Sequence, residues 1–298
     1  MKAGGRARAL RRAAASFARI GGVLAAVLAL ATVLARSTDV IESRVFYFPS
    51  REPFETPAGV EDVTFVNDEG LELHGWWLPA QGRHAEGTEP APTVLHTHGN
   101  AGHVGRHHEF VKWLPARGFN VFLFDYRSYG RSAAFRGLKR RHLLADSHAA
   151  LDHVLARDDV DPDRVALLGF SMGGAIGLNL AAERGEVRAV VAAAAFSTWQ
   201  GVGSDYAGPI ARLLVSPGLE PRDAAAKLGD RPLLIVHGDQ DGIVNPRHGE
   251  LIEAAARGTG VGVERFVQPG ADHVTLLTDY RDARDRIAAF LGSEMSDR

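Results

Sequence analysis

The residues best suited to chemistry in this chain are a serine between two glycines, an aspartate and a histidine. The serine lies in the sequence Gly169-Phe170-Ser171-Met172-Gly173. Serine is a weak nucleophile near neutral pH, so it needs an imidazole to accept its proton and a carboxylate to orient that imidazole. Asp241 and His273 follow Ser171 in the chain order that a nucleophile elbow requires. This set predicts acyl transfer through a covalent intermediate.

The sequence around Ser171 is typical of a sharp turn from a strand into a helix. Residues 165–168 are an apolar run of the buried-strand type, and residues 174–182 can form a helix. Such a turn holds the serine in a strained backbone conformation and leaves no room for side chains two residues before or after it. Gly169 and Gly173 occupy these two positions.

Further motifs follow one another along roughly residues 44 to 292: Phe46–Pro49, Leu73–Pro79, His98–Gly102, Asp125–Ser132, Gly169–Gly174, His237–Val244 and His273. In this order they resemble the α/β-hydrolases, in particular the membrane-anchored group of protein depalmitoylases, lysolipid and monoacylglycerol lipases and bacterial serine-aminopeptidase-like proteins. The resemblance implies an α/β-hydrolase fold, with a mostly parallel central sheet flanked by helices and a small helical lid.

The resemblance also implies two backbone donors for the oxyanion. One is the N–H of Met172, and the other is the N–H of Asn100, in the loop after the strand pattern of residues 93–97. Such donors stabilise the transition state by roughly 3–4 kcal/mol each. His98 is expected to hydrogen-bond this loop, and Gly99 lets its backbone approach the substrate.

Two aspartates on one loop compete for the role of triad acid. Asp239 and Asp241 both follow the strand pattern of residues 233–237. In this fold the acid usually lies three residues after the strand-ending glycine, here Gly238, and it is followed by x-x-Val. We therefore favour Asp241 and expect Asp239 to cap a turn or to face solvent.

The chain departs from the family pattern at two places near the expected rim of the site. Ser128 replaces the first glycine of the usual Arg-Gly-Tyr-Gly, and the basic segment of residues 136–141 replaces an acidic and polar one. Both departures bear on substrate preference and leave the triad intact.

A group of histidines suggests a metal site, because His-x-His with a third histidine is a possible zinc set. However, His96 and His98 straddle the end of a buried strand, and His98 belongs to the oxyanion motif. We therefore expect neither a metal nor a cofactor. The group consists of His96, His98, His103, His107 and His108.

Three other residues are interpreted as structural. Asp125 lies at a strand end but precedes Ser171 in the chain, so we expect it to support the loop of residues 126–132. Trp76 and Trp77 are neighbours, so they face opposite sides of a strand and are expected to pack in the core.

Alternating strand and helix patterns predict one α/β domain to position these residues. Expected strands are Glu61–Val66, Leu71–Leu78, Thr93–Thr97, Val121–Asp125, Val165–Leu168, Ala189–Ala193, Leu233–His237 and Glu264–Val267, the first two antiparallel. Expected helices are Arg106–Ala116, Leu143–Arg157, Met172–Arg184, Pro246–Arg257 and Thr278–Leu291.

The catalytic domain is expected at residues 61–292, after a connector at 37–60 and with a lid at about 197–230. In this lid we expect Ile210, Leu213 and Leu214 to form an apolar wall of the acyl site. A lid this small favours short to medium acyl chains.

The N-terminus, residues 1–36, combines seven basic side chains with no acid and an uncharged run at residues 20–35. That run spans about 24 Å as a helix, against about 30 Å for a bilayer core. We favour a retained single-pass signal anchor that places the catalytic domain outside the cytoplasm. A cleaved signal peptide is the alternative.

The distribution of charge limits the classes of molecule that the chain can bind. The whole chain carries a net charge of −2 and its N-terminal segment +7, which leaves −9 on the rest. An acidic main domain argues against nucleic acid as a partner. The sequence thus favours a membrane-bound serine hydrolase acting on an acyl ester or thioester. The alternatives are a peptidase with the same triad and a non-catalytic, membrane-tethered binding protein.

Overall fold

The computed structural model describes residues 21–22, 32–33, 40–82 and 90–296. Most of the basic and hydrophobic N-terminus therefore lies outside the described residues, and the membrane anchor and the extracytoplasmic location stay predictions. Within the described ranges, no helix is both long and apolar enough to cross a membrane.

The strands are β1 (Phe48–Pro49), β2 (Glu61–Val66), β3 (Glu72–Leu78), β4 (Thr93–Thr97), β5 (Ala101–Gly102), β6 (Asn120–Phe124), β7 (Val165–Phe170), β8 (Val187–Ala193), β9 (Leu233–Gly238) and β10 (Val263–Gln268). In the described part of the chain, eight of them form one sheet in the order β10-β9-β8-β7-β4-β6-β3-β2. β3 is antiparallel to both of its neighbours, and the other pairs are parallel. Parallel strands bring their carboxyl ends to one edge of the sheet, where open α/β sheets bind ligands.

The α-helices are α1 (Val40–Val45), α2 (Val104–His107), α3 (Arg140–Leu155), α4 (Met172–Glu183), α5 (Trp199–Ala207), α6 (Ala211–Leu214), α7 (Pro221–Ala225), α8 (Arg247–Arg257), α9 (Thr275–Thr278) and α10 (Arg281–Glu294). Side chains of α3, α4, α5 and α8 join the core on one face of the sheet. Those of α2, α9 and α10 join the core on the other face. This arrangement confirms the predicted mostly parallel sheet flanked by helices.

The helix predicted at Arg106–Ala116 is wrong. α2 is only one turn long, and two 3₁₀ turns, His108–Phe110 and Pro115–Arg117, replace the rest. Pro115 lacks the N–H that a continuing helix would need. The Trp113 indole donates to the carbonyl of Phe110 at 2.8 Å, and the backbone N–H groups of residues 111 and 114 bond three residues back instead of four.

The residues interpreted as structural have that role. Asp125 is fully buried, and its carboxylate accepts the backbone N–H of Arg131, in the loop of residues 126–132, at 3.4 Å and that of Val104 at 2.8 Å. Trp76 and Trp77 are both buried, in the cores on opposite faces of the sheet. These contacts confirm the packing roles that were expected from the sequence.

Ser128 occupies a backbone conformation that favours glycine. Its φ is 70°, in the left-handed region that is costly for residues with a Cβ. Its hydroxyl donates to the carbonyl of Phe135 at 2.7 Å and accepts the N–H of the same residue at 2.8 Å. These two bonds fix the loop where the family usually has glycine.

The segment between the N-terminus and the catalytic domain contributes to the core. Phe46 and Tyr47 are buried, and the Phe46 ring lies 5.3 Å from the Trp199 ring of α5. Glu42 of α1 forms a buried ion pair with Arg140 at 2.9 Å, and the Arg140 guanidinium lies 4.5 Å from the Trp199 ring centroid. One residue of the basic segment 136–141 therefore holds α1 against α5.

Candidate active site

Ser171 lies on a sharp turn between β7 and α4. Its φ of 56° and ψ of −121° lie outside the conformations that side chains prefer. Its N–H donates to the carbonyl of Ala193 at 2.8 Å, which holds the strained residue in place. A Cβ at Gly169 would lie 2.6 Å from the carbonyl oxygen of Gly173, and one at Gly173 would overlap the carbonyl of Thr97. The glycines therefore make this turn possible.

His273 and Asp241 form a buried pair on the loops that follow β10 and β9. Nδ1 of His273 lies 2.7 Å from Oδ2 of Asp241. The other oxygen of Asp241 accepts the backbone N–H groups of Ile243 at 2.9 Å and of Val244 at 2.8 Å. Burial opposes ionisation of Asp241, but its histidine and backbone donors outweigh that effect and hold its pKa well below the usual range. The carboxylate is ionised at neutral pH.

This charge fixes the tautomer of His273. An ionised carboxylate only accepts hydrogen bonds, so Nδ1 of His273 carries a proton and Nε2 of the neutral ring keeps its lone pair. That nitrogen is the one that can accept a proton from a nucleophile. Among the described residues, Asp239 instead accepts the N–H of Gly270 at 2.7 Å, in an exposed position.

His273 packs against the residue that precedes Ser171: the rings of His273 and Phe170 lie 5.0 Å apart. In the described residues, no hydrogen bond joins His273 to Ser171. Bonds between nucleophile and base are often long or poorly aligned in structures without substrate, and they shorten when substrate binds. The missing bond therefore does not argue against His273 as the base that the sequence predicts.

Asn100 and Met172 lie beside Ser171 on the same cavity. Met172 is the first residue of α4, so its N–H has no acceptor one turn earlier in the helix. The carbonyl of Asn100 accepts the N–H of Phe48 at 2.8 Å and the hydroxyl of Tyr129 at 2.9 Å. These two donors, which the sequence did not indicate, anchor the loop that carries the second expected oxyanion donor.

His98 and Gly99 help to fix the loop that carries Asn100. Nδ1 of His98 donates to the carbonyl of Gly99 at 2.7 Å, and the buried His98 ring lies 4.5 Å from the Tyr126 ring. A Cβ at Gly99 would lie 3.2 Å from Cε1 of His107 and 3.6 Å from Cβ of Ser171. Glycine at 99 therefore lets the loop approach the serine.

The other histidines of the group are held as neutral, structural residues. Burial lowers the pKa of His96 to about 3 and that of His107 to about 4. Each uses one ring nitrogen to donate to a backbone carbonyl, of Leu168 and of Ala101 respectively. Within the described ranges, no three His, Cys, Asp or Glu residues are arranged to hold a metal ion.

A mainly apolar cavity of about 440 Å³ lies over Ser171. Its walls come from the end of α1 and the segment that follows it, from α5 and from the loop that carries Asp241. A cavity of this size and lining suits an acyl chain. The side chains that form the apolar walls are Val45, Phe46, Phe48, Phe196, Trp199, Val202, Tyr206, Ile243 and Val244.

The prediction that Ile210, Leu213 and Leu214 form this wall is wrong. None of the three lines the cavity, and Ile210 and Leu213 are 55% and 58% exposed. α6 instead buries Ala211, and Val215 just after it, against the core. The exposed side chains of Ile210 and Leu213 therefore point away from the core. Side chains of α5, and not those of α6, form the wall of the cavity.

His237 is a member of this site that sequence reasoning did not assign. Its Nε2 lies 2.9 Å from the carbonyl of Val244 and 3.2 Å from Oδ2 of Asp241. A carbonyl only accepts, so Nε2 carries the proton and donates to both oxygens. The available signal was its position at the end of a strand, four residues before the acid.

Comparisons with known proteins agree with this architecture. A model of the Hydrolase_4 family of serine aminopeptidases matches residues 88–227. The uncharacterized protein YfhR of Salmonella typhi is 33% identical over 255 residues, covering 80% of this chain and 85% of that protein. The alpha/beta hydrolase domain-containing protein WAV2 of Arabidopsis thaliana is 27% identical over 267 residues, covering 81% and 82%. The Pyrococcus furiosus esterase PF2001 shares the fold, with a TM-score of 0.71, 20% identity and coverage of 84% of this chain and 99% of that one.

Proposed function

Because the chain belongs to the α/β-hydrolase superfamily and matches its Hydrolase_4 family, we propose that it is a serine hydrolase of carboxylic esters or thioesters. The proposal is supported by the position of Ser171 on an apolar cavity of about 440 Å³ and by His273, whose Nδ1 lies 2.7 Å from a buried carboxylate and whose ring packs 5.0 Å from that of Phe170. Such a cavity can hold an acyl chain with its carbonyl carbon at the serine.

In the proposed acylation step, Oγ of Ser171 attacks the carbonyl carbon while Nε2 of His273 takes the hydroxyl proton. The oxyanion accepts hydrogen bonds from the N–H groups of Asn100 and Met172. Asp241 stabilises the imidazolium through Nδ1. When the tetrahedral intermediate collapses, the bond to the alcohol or thiol breaks and the leaving group receives the proton from His273.

Deacylation repeats these roles with water as the nucleophile. His273 takes a proton from water, and the hydroxide attacks the acyl-serine carbonyl. Collapse of the second intermediate breaks the bond to Oγ of Ser171 and returns the proton to it. The products are a carboxylic acid and free enzyme, and no step requires a metal or cofactor.

The test is a panel of p-nitrophenyl esters from acetate to dodecanoate, with aminoacyl-p-nitroanilides measured alongside. We expect turnover of the esters and a maximum at short to medium chains, because the cavity has a volume of only about 440 Å³. Hydrolysis of the anilides with no ester turnover would contradict the proposal and favour a peptidase.

The peptidase function is the second candidate, because the matched family is described as serine aminopeptidases and the same triad can cleave amides. The apolar lining of the cavity favours the ester, since a free α-amino group bound there would need a carboxylate partner. No Asp or Glu is among the residues that the described structure places around the cavity.

A further inference from the structure

A second, polar cavity of about 260 Å³ lies on the other side of α5. Neighbouring residues face the two cavities: Phe196 and Val244 line the acyl cavity, whereas Ser197 and Asn245 line the polar one. Nothing in the proposed hydrolysis uses the polar cavity. Its volume lies slightly below the range of about 300–1,000 Å³ that drug-sized ligands occupy, so it suits a small polar group.

The floor of this cavity is a hydrogen-bonded series that runs from buried Ser197 and His248 to exposed Asp205. The hydroxyl of Ser197 lies 2.8 Å from Nδ1 of His248, and Nε2 of the same ring lies 2.9 Å from Oδ2 of Asp205. The N–H of Ser197 also donates to Nδ1, at 3.1 Å, so Nδ1 is the acceptor and Nε2 carries the proton. Burial, opposed by Asp205, lowers the pKa of His248. The ring is therefore neutral at neutral pH.

This series contains the residue types of a catalytic triad, but its geometry argues against a second nucleophile. Ser197 is only 1% exposed. Its N–H and its hydroxyl both donate to Nδ1 of His248, and these two bonds fix the serine side chain. We therefore interpret the series as a rigid floor that joins the loop after β8 to α8.

The walls of the cavity are strongly cationic. Arg212 of α6, Arg222 of α7 and Arg247 of α8 line it, and Asp205 is the one carboxylate among its lining residues in the described structure. Arg222 forms an ion pair with Asp223, with 3.2 Å between Nε and Oδ1. In the described part of the chain, the guanidinium groups of Arg212 and Arg247 form no ion pair. Because His248 is neutral, the lining carries a net charge of +2.

The N-terminus of α8 reinforces this charge. α8 begins at the cavity, with Arg247 in its first turn among the lining residues. The partial positive charge of a helix N-terminus favours an anion in front of it. The N-terminus of α5 also lies at the cavity, but there the Glu220 carboxylate already accepts the N–H of Trp199 at 3.0 Å, so α5 adds no further charge.

We propose that this polar cavity binds the phosphate group of a phosphate monoester. Guanidinium groups bind phosphate through paired N–H···O bonds, and two unpaired arginines match the charge of about −1.5 to −2 that a phosphate monoester carries at neutral pH. The hydroxyl group of Thr198 in the lining accepts the N–H of Gly201 at 2.9 Å, so its proton adds a neutral donor. The phosphate could belong to a soluble ester or to a lipid head group, and the experiment below separates these sources.

The experiment measures binding by the full chain without any turnover, so its result does not depend on the hydrolase function. Glycerol 3-phosphate is titrated by calorimetry at low salt, with glycerol as the uncharged control. In parallel, sedimentation measures binding to phosphatidylcholine vesicles with and without phosphatidate. The variants are Arg212→Gln and Arg247→Gln, with Arg188→Gln as the matched control at an exposed arginine of β8 outside the cavity.

We expect binding that depends on the phosphate group in at least one of the two measurements, calorimetry with glycerol 3-phosphate or sedimentation with phosphatidate vesicles. Each cavity variant should weaken it about tenfold or more, because a hydrogen bond to a charged group contributes about 1.5–3 kcal/mol. Arg188→Gln should bind like the unmodified chain. Thermal unfolding without ligand shows that each variant is folded, as expected for exposed side chains. Absence of binding in both measurements, or equal weakening by Arg188→Gln, would overturn the proposal.

Discussion

Nε2 of His237 lies 3.2 Å from Oδ2 of Asp241, the oxygen that also accepts Nδ1 of His273 at 2.7 Å. Oδ2 of Asp241, the proposed triad acid, therefore accepts from a histidine on each side, and its other oxygen is held by two backbone N–H groups. Every lone pair that points into the protein is occupied, so the carboxylate is fixed in position and stays ionised.

Replacement of His237 should weaken catalysis without removing it. His237→Phe keeps a buried ring but removes the donor to Asp241, so we expect kcat to fall roughly tenfold. A carboxylate with fewer donors is held less firmly in position and orients His273 less well, so KM for p-nitrophenyl butyrate should stay close to that of the unmodified chain while kcat falls. An unchanged kcat in a folded variant would mean that His237 has only a packing role.

Asp241→Asn should be far more damaging than Asp239→Asn. The amide at 241 removes the charge that stabilises the imidazolium and can hold the wrong tautomer of His273, which costs about 10⁴-fold in kcat in a comparable triad. Asp239 lies in an exposed position and bonds only Gly270 among the described residues, so its variant should retain most activity. Steady-state kinetics of both variants tests this, and the reverse ranking would refute the acid assignment.

The wall of the acyl cavity on α5 should set the chain-length preference. Val202 is 5% exposed and lines the cavity, so Val202→Phe would fill space that a longer acyl chain needs. Overpacking costs about 1–3 kcal/mol, so KM for octanoate esters should rise about tenfold while KM for acetate changes little. Leu213→Ala is the control, because Leu213 is 58% exposed. Equal effects of Val202→Phe on both esters would show that the acyl chain binds elsewhere.

Stability should fall as the pH is lowered from about 7 to about 4. Burial lowers the pKa of His107 to about 4, whereas an unfolded histidine titrates near about 6.5. Between these values the unfolded chain binds more protons, so each drop in pH favours unfolding. For His107 the loss reaches about 3 kcal/mol.

Urea unfolding at a series of pH values measures this loss. His107→Gln is the matched variant, because a glutamine amide can still donate to the Ala101 carbonyl that accepts Nε2 of His107 at 2.9 Å but does not titrate. The free energy of unfolding of this variant should depend less on pH over the same interval. An identical pH dependence would show that His107 is not the titrating group.

The sequence predicted the strands better than the helices. β2 and β4 were placed at their observed ends, and the other strands of the sheet within a few residues. The buried parallel strands could be placed because they are nearly continuous apolar runs. The helix predicted at Arg106–Ala116 was wrong because an apolar spacing compatible with a helix also fits two short 3₁₀ turns, of which the second begins at Pro115. α5 was not predicted because Gly201 and Gly203 are unfavourable in a helix. The buried Trp199 and the N-cap Thr198 stabilise it.

Some residues of the candidate site could be predicted from the sequence and others could not. Ser171, Asp241 and His273 could be chosen from motif spacing and chain order, since each follows a strand. His237 and Tyr129 could not, because their contacts with Asp241 and Asn100 depend on the register of neighbouring loops. The acyl wall was misassigned to Leu213 and its neighbours because periodicity alone does not tell which face of a one-turn helix packs inward.

The most direct test of the account is Ser171→Ala, with labelling by a fluorophosphonate probe and p-nitrophenyl butyrate turnover as readouts. The substitution removes one hydroxyl at a cavity, so the thermal unfolding midpoint should stay close to that of the unmodified chain. We expect labelling to be lost and kcat to fall by about 10³-fold or more. Retention of labelling or of most turnover by a folded Ser171→Ala protein would contradict the central claim that Ser171 is the nucleophile.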